Sequence, residues 1–162
     1  MDHPKFEKLD CKMKDYTLVF VQNDKKILLG LKKRGFGVGK WNGFGGKVEK
    51  NETVFEGAKR ELKEECGLIP INMKKLGTII FDFEGKPTLL AVHVFKSHDY
   101  DGTLIESEEM KPQWFDINDI PYDKMWLDDE IWYPLMLNDK SFEGKFYFRG
   151  HSKILKYELK EV

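Results

Sequence analysis

At 162 residues the chain suits one domain with a real core, and a composition of 41% apolar and 34% charged residues excludes a disordered chain. The formal net charge of -1 provides no global basic field for a nucleic-acid polymer, and no apolar run approaches membrane-spanning length. Two cysteines, Cys11 and Cys66, read as free thiols in a reducing compartment. Residues 1–14 mix Asp and Glu with Lys and lack the apolar stretch of a secretory signal. They are expected to form a flexible N-terminal extension to a domain spanning 15–162.

Tyr16–Val21 reads as a buried strand, Asn23-Asp24 as a turn, and Lys26–Lys32 as the returning strand. Lys32, Lys33 and Arg34 lead into Gly35-Phe-Gly-Val-Gly-Lys40, which is either an ordinary mobile loop or a phosphate cradle. Trp41-Asn-Gly-Phe-Gly-Gly-Lys47 follows. Its glycines allow either a tight bend or close backbone approach to a ligand. A helix is expected next. Thr53 and Glu56 fit a capping box, with Asn51 as a rival cap, and Gly67 fits the left-handed position that ends helices. Ala58 and Leu62 face a core. Glu61, Glu64 and Glu65 fall at i, i+3 and i+4 and share a helix face, where like charges repel. This is either a solvated acidic face flanked by Lys59 and Lys63, or an oxygen cluster suited to Mg²⁺.

Beyond the helix, Lys75–Glu84 and Leu89–Phe95 read as strands paired across Gly85-Lys86-Pro87. His93 reads as a satisfied sheet histidine rather than a catalytic one. Phe81 and Phe83 alternate onto one sheet face, as core aromatics or as the wall of a purine pocket. Asp101-Gly102 reads as a turn, and Glu109 taken alone is a solvated loop charge. Lys111–Asp116 is a further strand, ending in the Ile120-Pro121 turn. A second helix opens at Met125 and runs through Ile131, Trp132, Leu135 and Met136. Asp128 or Asp129 is its capping carboxylate, and Pro134 is a candidate kink. Gly144–Arg149 and Ile154–Leu159 complete an α/β pattern of roughly seven strands and two helices.

The full spacing of the acidic stretch is specific. Gly46, five residues, Glu52, seven residues, then Arg60-Glu61-Leu62-x-Glu64-Glu65-x-Gly67-Leu68 resembles the Nudix box at every defined position. Outside the box, Leu28–Gly37, Lys40–Val48, Val92–Phe95, Trp114-Phe115 and Met125-Trp-x-Asp-Asp129 resemble the animal MutT-homologue branch of that family, the oxidised purine nucleoside triphosphatases. The likeness runs from about Tyr16 to the end of the chain. The sequence departs from that branch in its charged N-terminal extension, in Leu127 where vertebrate members carry proline, and in Leu90 where they carry methionine.

The resemblance implies a Nudix fold, a mixed curved β-sheet sandwiched between α-helices. It implies Mg²⁺, with Mn²⁺ as a substitute, held by Glu61, Glu64, Glu65, Glu109 and the Gly45 carbonyl. Glu61, Glu65 and Glu109 become candidate bases with Arg60 in support. Lys32, Gly46 and Lys47 approach the phosphates. Thr17, Phe36, Asn42, Phe44, Phe81, Phe83, Leu90, Trp126, Leu127, Asp128 and Asp129 surround the base. Two adjacent buried carboxyls do not both ionise cheaply, so one stays protonated and donates while the other accepts. The implied reaction takes oxidised purine triphosphates such as 8-oxo-dGTP and 2-oxo-dATP to the monophosphate and pyrophosphate, sanitising the nucleotide pool. The implied enzyme is a monomer without nucleic-acid or membrane partners, in the cytoplasm and potentially also the nucleus or mitochondrion. The alternatives are a Nudix hydrolase of ADP-ribose or a dinucleotide, an enzyme preferring methylated purines, and a Nudix-fold protein that binds nucleotides without cleaving them.

Overall fold

Strand geometry sends alternate side chains of the apolar run Leu18-Val-Phe-Val21 to opposite faces. Val19 and Val21 enter one core, while Leu18 and Phe20 enter another. A computed structural model describes residues 12–162 and shows that this strand, β1 (Lys12–Gln22), lies inside a mixed sheet. The other strands are β2 (Lys26–Lys32), β3 (Trp41–Asn42), β4 (Leu68–Ile71), β5 (Lys74–Phe83), β6 (Thr88–Ser97), β7 (Asp99–Gly102), β8 (Met110–Asp116), β9 (Phe142–Arg149) and β10 (Lys153–Glu161). Among the described residues eight strands form one sheet, in the order β10-β9-β5-β6-β1-β2-β3, with β8 also paired to β2. The β1–β6 and β5–β9 ladders are parallel and the rest of this sheet is antiparallel. Helices α1 (Val54–Cys66) and α2 (Asp129–Leu137) cover opposite faces. Ala58, Leu62 and Cys66 of α1 pack with Val19, Leu28 and Phe95, and Trp132, Tyr133 and Met136 of α2 pack with Phe20, Leu29 and Phe146. The expected curved sheet between helices is the observed fold.

Several expectations are adjusted. Lys12, Met13 and Lys14 belong to β1 and pair with Thr88, Leu89 and Leu90, so part of the expected flexible extension is strand. The remainder of that extension, with Cys11, lies outside the described residues. Asp99–Gly102 does not simply turn but pairs with Leu68–Ile71 in a separate two-stranded ribbon. Strands this short leave no local period to read. The second helix begins at Asp129 rather than Met125, after a 3₁₀ turn at Tyr122–Lys124, and Pro134 lies inside it without ending it.

Two features position the site. Thr53 and Glu56 close the capping box, with Glu56 N–H to Thr53 Oγ1 at 3.0 Å and Thr53 N–H to Glu56 Oε1 at 2.8 Å. Gly67 ends α1 in the left-handed conformation, as its sequence position requires. The second feature is a splay. β1 and β2 are paired only at Val21–Leu28 and Gln22–Ile27. Past that point the edge of β1 is taken by 44–47: Thr17 N–H donates to Gly46 O at 2.9 Å, and Val19 and Phe44 exchange bonds at 2.6 and 3.0 Å.

Candidate active site

The splay delivers the glycine segment to the acidic face of α1. Glu65 is buried, 4% exposed, and its Oε1 accepts the Gly45 N–H at 3.0 Å. A Cβ at Gly45 would overlap Thr17 O, and one at Gly46 would overlap the Glu61 carboxylate. Glycine is therefore required at Gly45, where backbone lies against β1, while a side chain at Gly46 would push the Glu61 carboxylate aside. Burial, then the charge of Glu61, lifts the Glu65 carboxyl to about 8, and burial also raises Glu61. Two carboxylates held near each other at such a cost, beside the glycine backbone, form an oxygen donor set that fits a hard divalent cation.

Arg60 braces this face. Its guanidinium donates to Glu52 at 2.8 and 3.0 Å, to Glu64 at 3.1 Å and to Lys47 O at 3.3 Å, and stands 3.3 Å from Glu61. These bonds hold Glu52 at about 2. Glu64 and Glu109 do not converge on Glu61 and Glu65. Glu64 is turned to Arg60, while Glu109 accepts from Arg34 at 2.8 Å and from Lys32 at 3.3 Å. Among the described residues no three His, Cys, Asp or Glu side chains stand ready as one metal cluster. Glu61, Glu64 and Glu109 each lie beside an arginine or lysine, while Glu65 keeps the Gly45 N–H.

A cavity of about 510 Å³ opens from Glu65, Gly45 and Gly46 and runs to Asp128 and Asp129. Thr17, Lys32, Phe36, Asn42, Phe81, Phe83, Leu90 and Trp126 also line it. Phe36 stacks on Trp126 at 5.1 Å, and Lys40 Nζ lies 5.4 Å over the Trp126 ring. Both aspartates are 2% exposed. Asp128 stands at the N-cap of α2 without capping it; its Oδ2 instead accepts from Trp132 Nε1 at 2.8 Å. Asp128 Oδ1 and Asp129 Oδ2 are buried and receive no N–H or hydroxyl donor from elsewhere in the described residues, and the two carboxyls lie close enough to share a proton between them. Burial pushes Asp128 up to about 6, and burial followed by the charge of Asp128 pushes Asp129 well above its usual range. Buried carboxyls on a cavity wall, with no donor from the surrounding protein, suit a ligand that hydrogen-bonds.

A NUDIX domain model matches residues 13–136. The chain belongs to the NUDIX family. It is 53% identical over 146 residues to a zebrafish (Danio rerio) protein named oxidized purine nucleoside triphosphate hydrolase, covering 90% of this chain and 94% of that one. A mouse (Mus musculus) protein of the same name is 52% identical over 147 residues, covering 91% and 94%. A solved structure of the mMutator MutT protein from Bacillus halodurans superposes with a TM-score of 0.82 at 27% identity, covering 91% of this chain and 97% of that one.

Most residues expected to bind substrate meet on the wall of the Nudix cavity. Three do not. Phe44 is fully buried and packs in the α1 core against Gly30, where a Cβ would stand 2.8 Å from its ring. Lys47 and Leu127 are exposed and lie off the wall. Glu61 and Glu109 also lie off it, leaving Glu65 as the acidic Nudix-box residue that reaches the cavity. His93 is satisfied between Asp15 Oδ1 at 2.8 Å and Lys75 Nζ at 2.7 Å, as expected of a sheet histidine. Sequence reasoning missed Lys40, Val92 and Met110 on the wall. It also passed over Glu52 as a support, although the box spacing marked that residue. An Arg eight positions after a Glu, one at each side of a cap, was the available signal.

Proposed function

We propose that this Nudix hydrolase cleaves oxidised purine nucleoside triphosphates to the monophosphate and pyrophosphate, and so clears them from the nucleotide pool. One observation carries the reading: a single cavity joins the Nudix-box carboxylate Glu65 to the buried pair Asp128 and Asp129. A triphosphate lying toward Glu65 places its purine beside Trp126 and the aspartates. The names of the zebrafish and mouse relatives support the same substrate class.

Glu61 and Glu65, with Glu64, Glu109 and the Gly45 carbonyl, are the proposed holders of Mg²⁺, for which Mn²⁺ can substitute. When bound, the cation neutralises phosphate charge and acidifies a water. Lys32, on the cavity wall, neutralises further phosphate charge. A carboxylate among Glu61, Glu65 and Glu109 takes the proton of the attacking water; Glu65 reaches the cavity directly. The water oxygen bonds to phosphorus as the bond to the pyrophosphate oxygen breaks. Arg60 and Glu52 hold the α1 carboxylates in place. At the other end Trp126 stacks on the base. One aspartate, kept protonated, donates to a purine oxygen, while the other accepts from a purine N–H. Exchanging which aspartate holds the proton lets one pocket take oxidised guanine and oxidised adenine.

The protein is proposed to act as a monomer in the reducing cytoplasm. No helix among the described residues is long and apolar enough to cross a membrane. The test is pyrophosphate release from 8-oxo-dGTP, 2-oxo-dATP, dGTP, a methylated purine triphosphate and ADP-ribose, each with and without Mg²⁺. Preference for the oxidised triphosphates is expected. Intact oxidised triphosphates in ample Mg²⁺ would overturn the reading, and turnover of ADP-ribose alone would replace it.

A further inference from the structure

Behind the cavity wall stands a hydroxyl that the proposed chemistry does not use. Tyr133 is fully buried on α2 and does not line the cavity. Its ring is clamped by Trp132 at 4.7 Å, Phe20 at 5.2 Å and Tyr122 at 5.8 Å between centroids. Its hydroxyl lies 3.2 Å from Oδ1 of Asn42, which does line the cavity. The same Asn42 atom receives the Gly43 N–H at 2.8 Å. A backbone N–H only donates, so this atom is the amide oxygen whichever way the carboxamide is drawn. Tyr133 must then donate to it, and the Asn42 NH₂ is left as the group offered to a ligand.

We propose that Tyr133 is a positioning residue for base recognition: its hydroxyl, with Gly43 N–H, locks the Asn42 carboxamide so that the cavity receives a fixed pair of donors. The proposal rests on the substrate reading above and deepens it. Gly43 N–H alone leaves the amide one bond, about which it can swing. A second donor from a clamped ring fixes its plane. Burial, followed by the charge of Asp129, keeps the Tyr133 hydroxyl protonated, so it remains a donor throughout the working range. The wall then offers fixed N–H donors at Asn42 and the buried carboxyl pair of Asp128 and Asp129. That set matches a purine edge carrying a ring carbonyl beside a ring N–H, the edge that oxidation of a purine creates or extends. A bland role for Tyr133, merely satisfying its own buried hydroxyl, predicts no effect on recognition.

The test is a double-mutant cycle on the full chain with Tyr133→Phe, Asn42→Ala and both together. Tyr133→Phe keeps the ring and should fold. Affinity for 8-oxo-dGMP without metal is measured by calorimetry, alongside KM, kcat and the ratio of 8-oxo-dGTP to dGTP turnover. Tyr133→Phe should weaken 8-oxo-dGMP binding roughly three- to tenfold, the loss of one hydrogen bond. The loss should fall on KM and selectivity more than on kcat, and should vanish when Asn42 is already Ala. An unchanged affinity, or an equal loss in the Asn42→Ala background, overturns the proposal. Wild-type protein that ignores 8-oxo-dGMP would sink the substrate reading instead. In that event the Asn42 side-chain N–H resonances still decide: they should shift and broaden in Tyr133→Phe, and an unmoved pair overturns the lock.

Discussion

Gly45 donates its N–H to Glu65 at 3.0 Å from a backbone position where no Cβ fits against Thr17. The residue before the Nudix box thus bonds to the box's most buried acid while its backbone lies against β1. Gly45→Ala should cost about 3 kcal/mol of stability, the upper range for forcing atoms into a packed site. It should also lower turnover, because the displaced backbone carries its N–H away from Glu65. Urea denaturation with steady-state kinetics checks both; a stability within about 0.5 kcal/mol of wild type would show that β1 yields freely.

Arg60 reaches Glu52, Glu64 and the Lys47 carbonyl from one guanidinium. Lysine cannot reproduce that fork. Arg60→Lys and Glu52→Gln should each lower turnover roughly 10–100-fold, as loss of ligand-orienting partners does in metal sites. The double variant should lose little more than either alone, because both act on one assembly. Full additivity of the two losses in kcat/KM would separate them.

Divalent cation should stabilise as well as activate, since it compensates the burial, and after it the carboxylate repulsion, that raises Glu61 and Glu65. At a Mg²⁺ concentration about 100-fold above its Kd, stability should rise by about 2.7 kcal/mol. Chelation should abolish turnover, and Glu65→Gln should lose most of the Mg²⁺-dependent rise in Tm. A rise undiminished in Glu65→Gln would place the cation elsewhere.

Asp128 and Asp129 form a buried carboxyl pair on the cavity wall. Asp129→Asn fixes the proton inventory of the pair. Selectivity for 8-oxo-dGTP over dGTP should fall roughly a hundredfold or more, as when a buried polar partner is left unmatched. Asp128→Ala should do the same. Unaltered selectivity in both would refute reading by the paired acids.

The same pair carries a pH signature. Folding raises both carboxyls above their unfolded value near 3.9, Asp128 to about 6. Their contribution to stability is therefore complete below about pH 4 and is lost as pH rises through about 6 and beyond. Glu52, held at about 2, runs the other way: its contribution is complete above its unfolded value and fades only as pH falls toward 2. Wild-type stability mixes these trends, so the difference between Asp128→Asn and wild type is the clean measure. That difference should move in favour of the variant between pH 4 and 7, by at most about 1.4 kcal/mol per pH unit. A flat difference in Tm across that window would mean that Asp128 ionises freely in the fold.

By itself the sequence determined whatever local period and local caps control. The i, i+3, i+4 glutamates, the Thr53–Glu56 box and the Gly67 stop all belong to one helix, whose geometry is the same in any fold. The apolar run of Tyr16–Val21 likewise read as a buried strand, which β1 is. Tertiary structure decided what those elements meet. Phe44 and Phe81 are both aromatics near glycines or strand ends, yet the first is sealed in the α1 core and the second faces the cavity, because the splay of β1 from β2 turns segment 44–47 inward. Asp128 has the sequence position of a cap and the bond of a cavity residue, since Trp132 Nε1 one turn on competes for it in a buried place. Glu109 joins Lys32 and Arg34 only through the β2–β8 ladder. Contacts between segments far apart in the chain depend on sheet register and strand divergence, and neither leaves a period in the sequence.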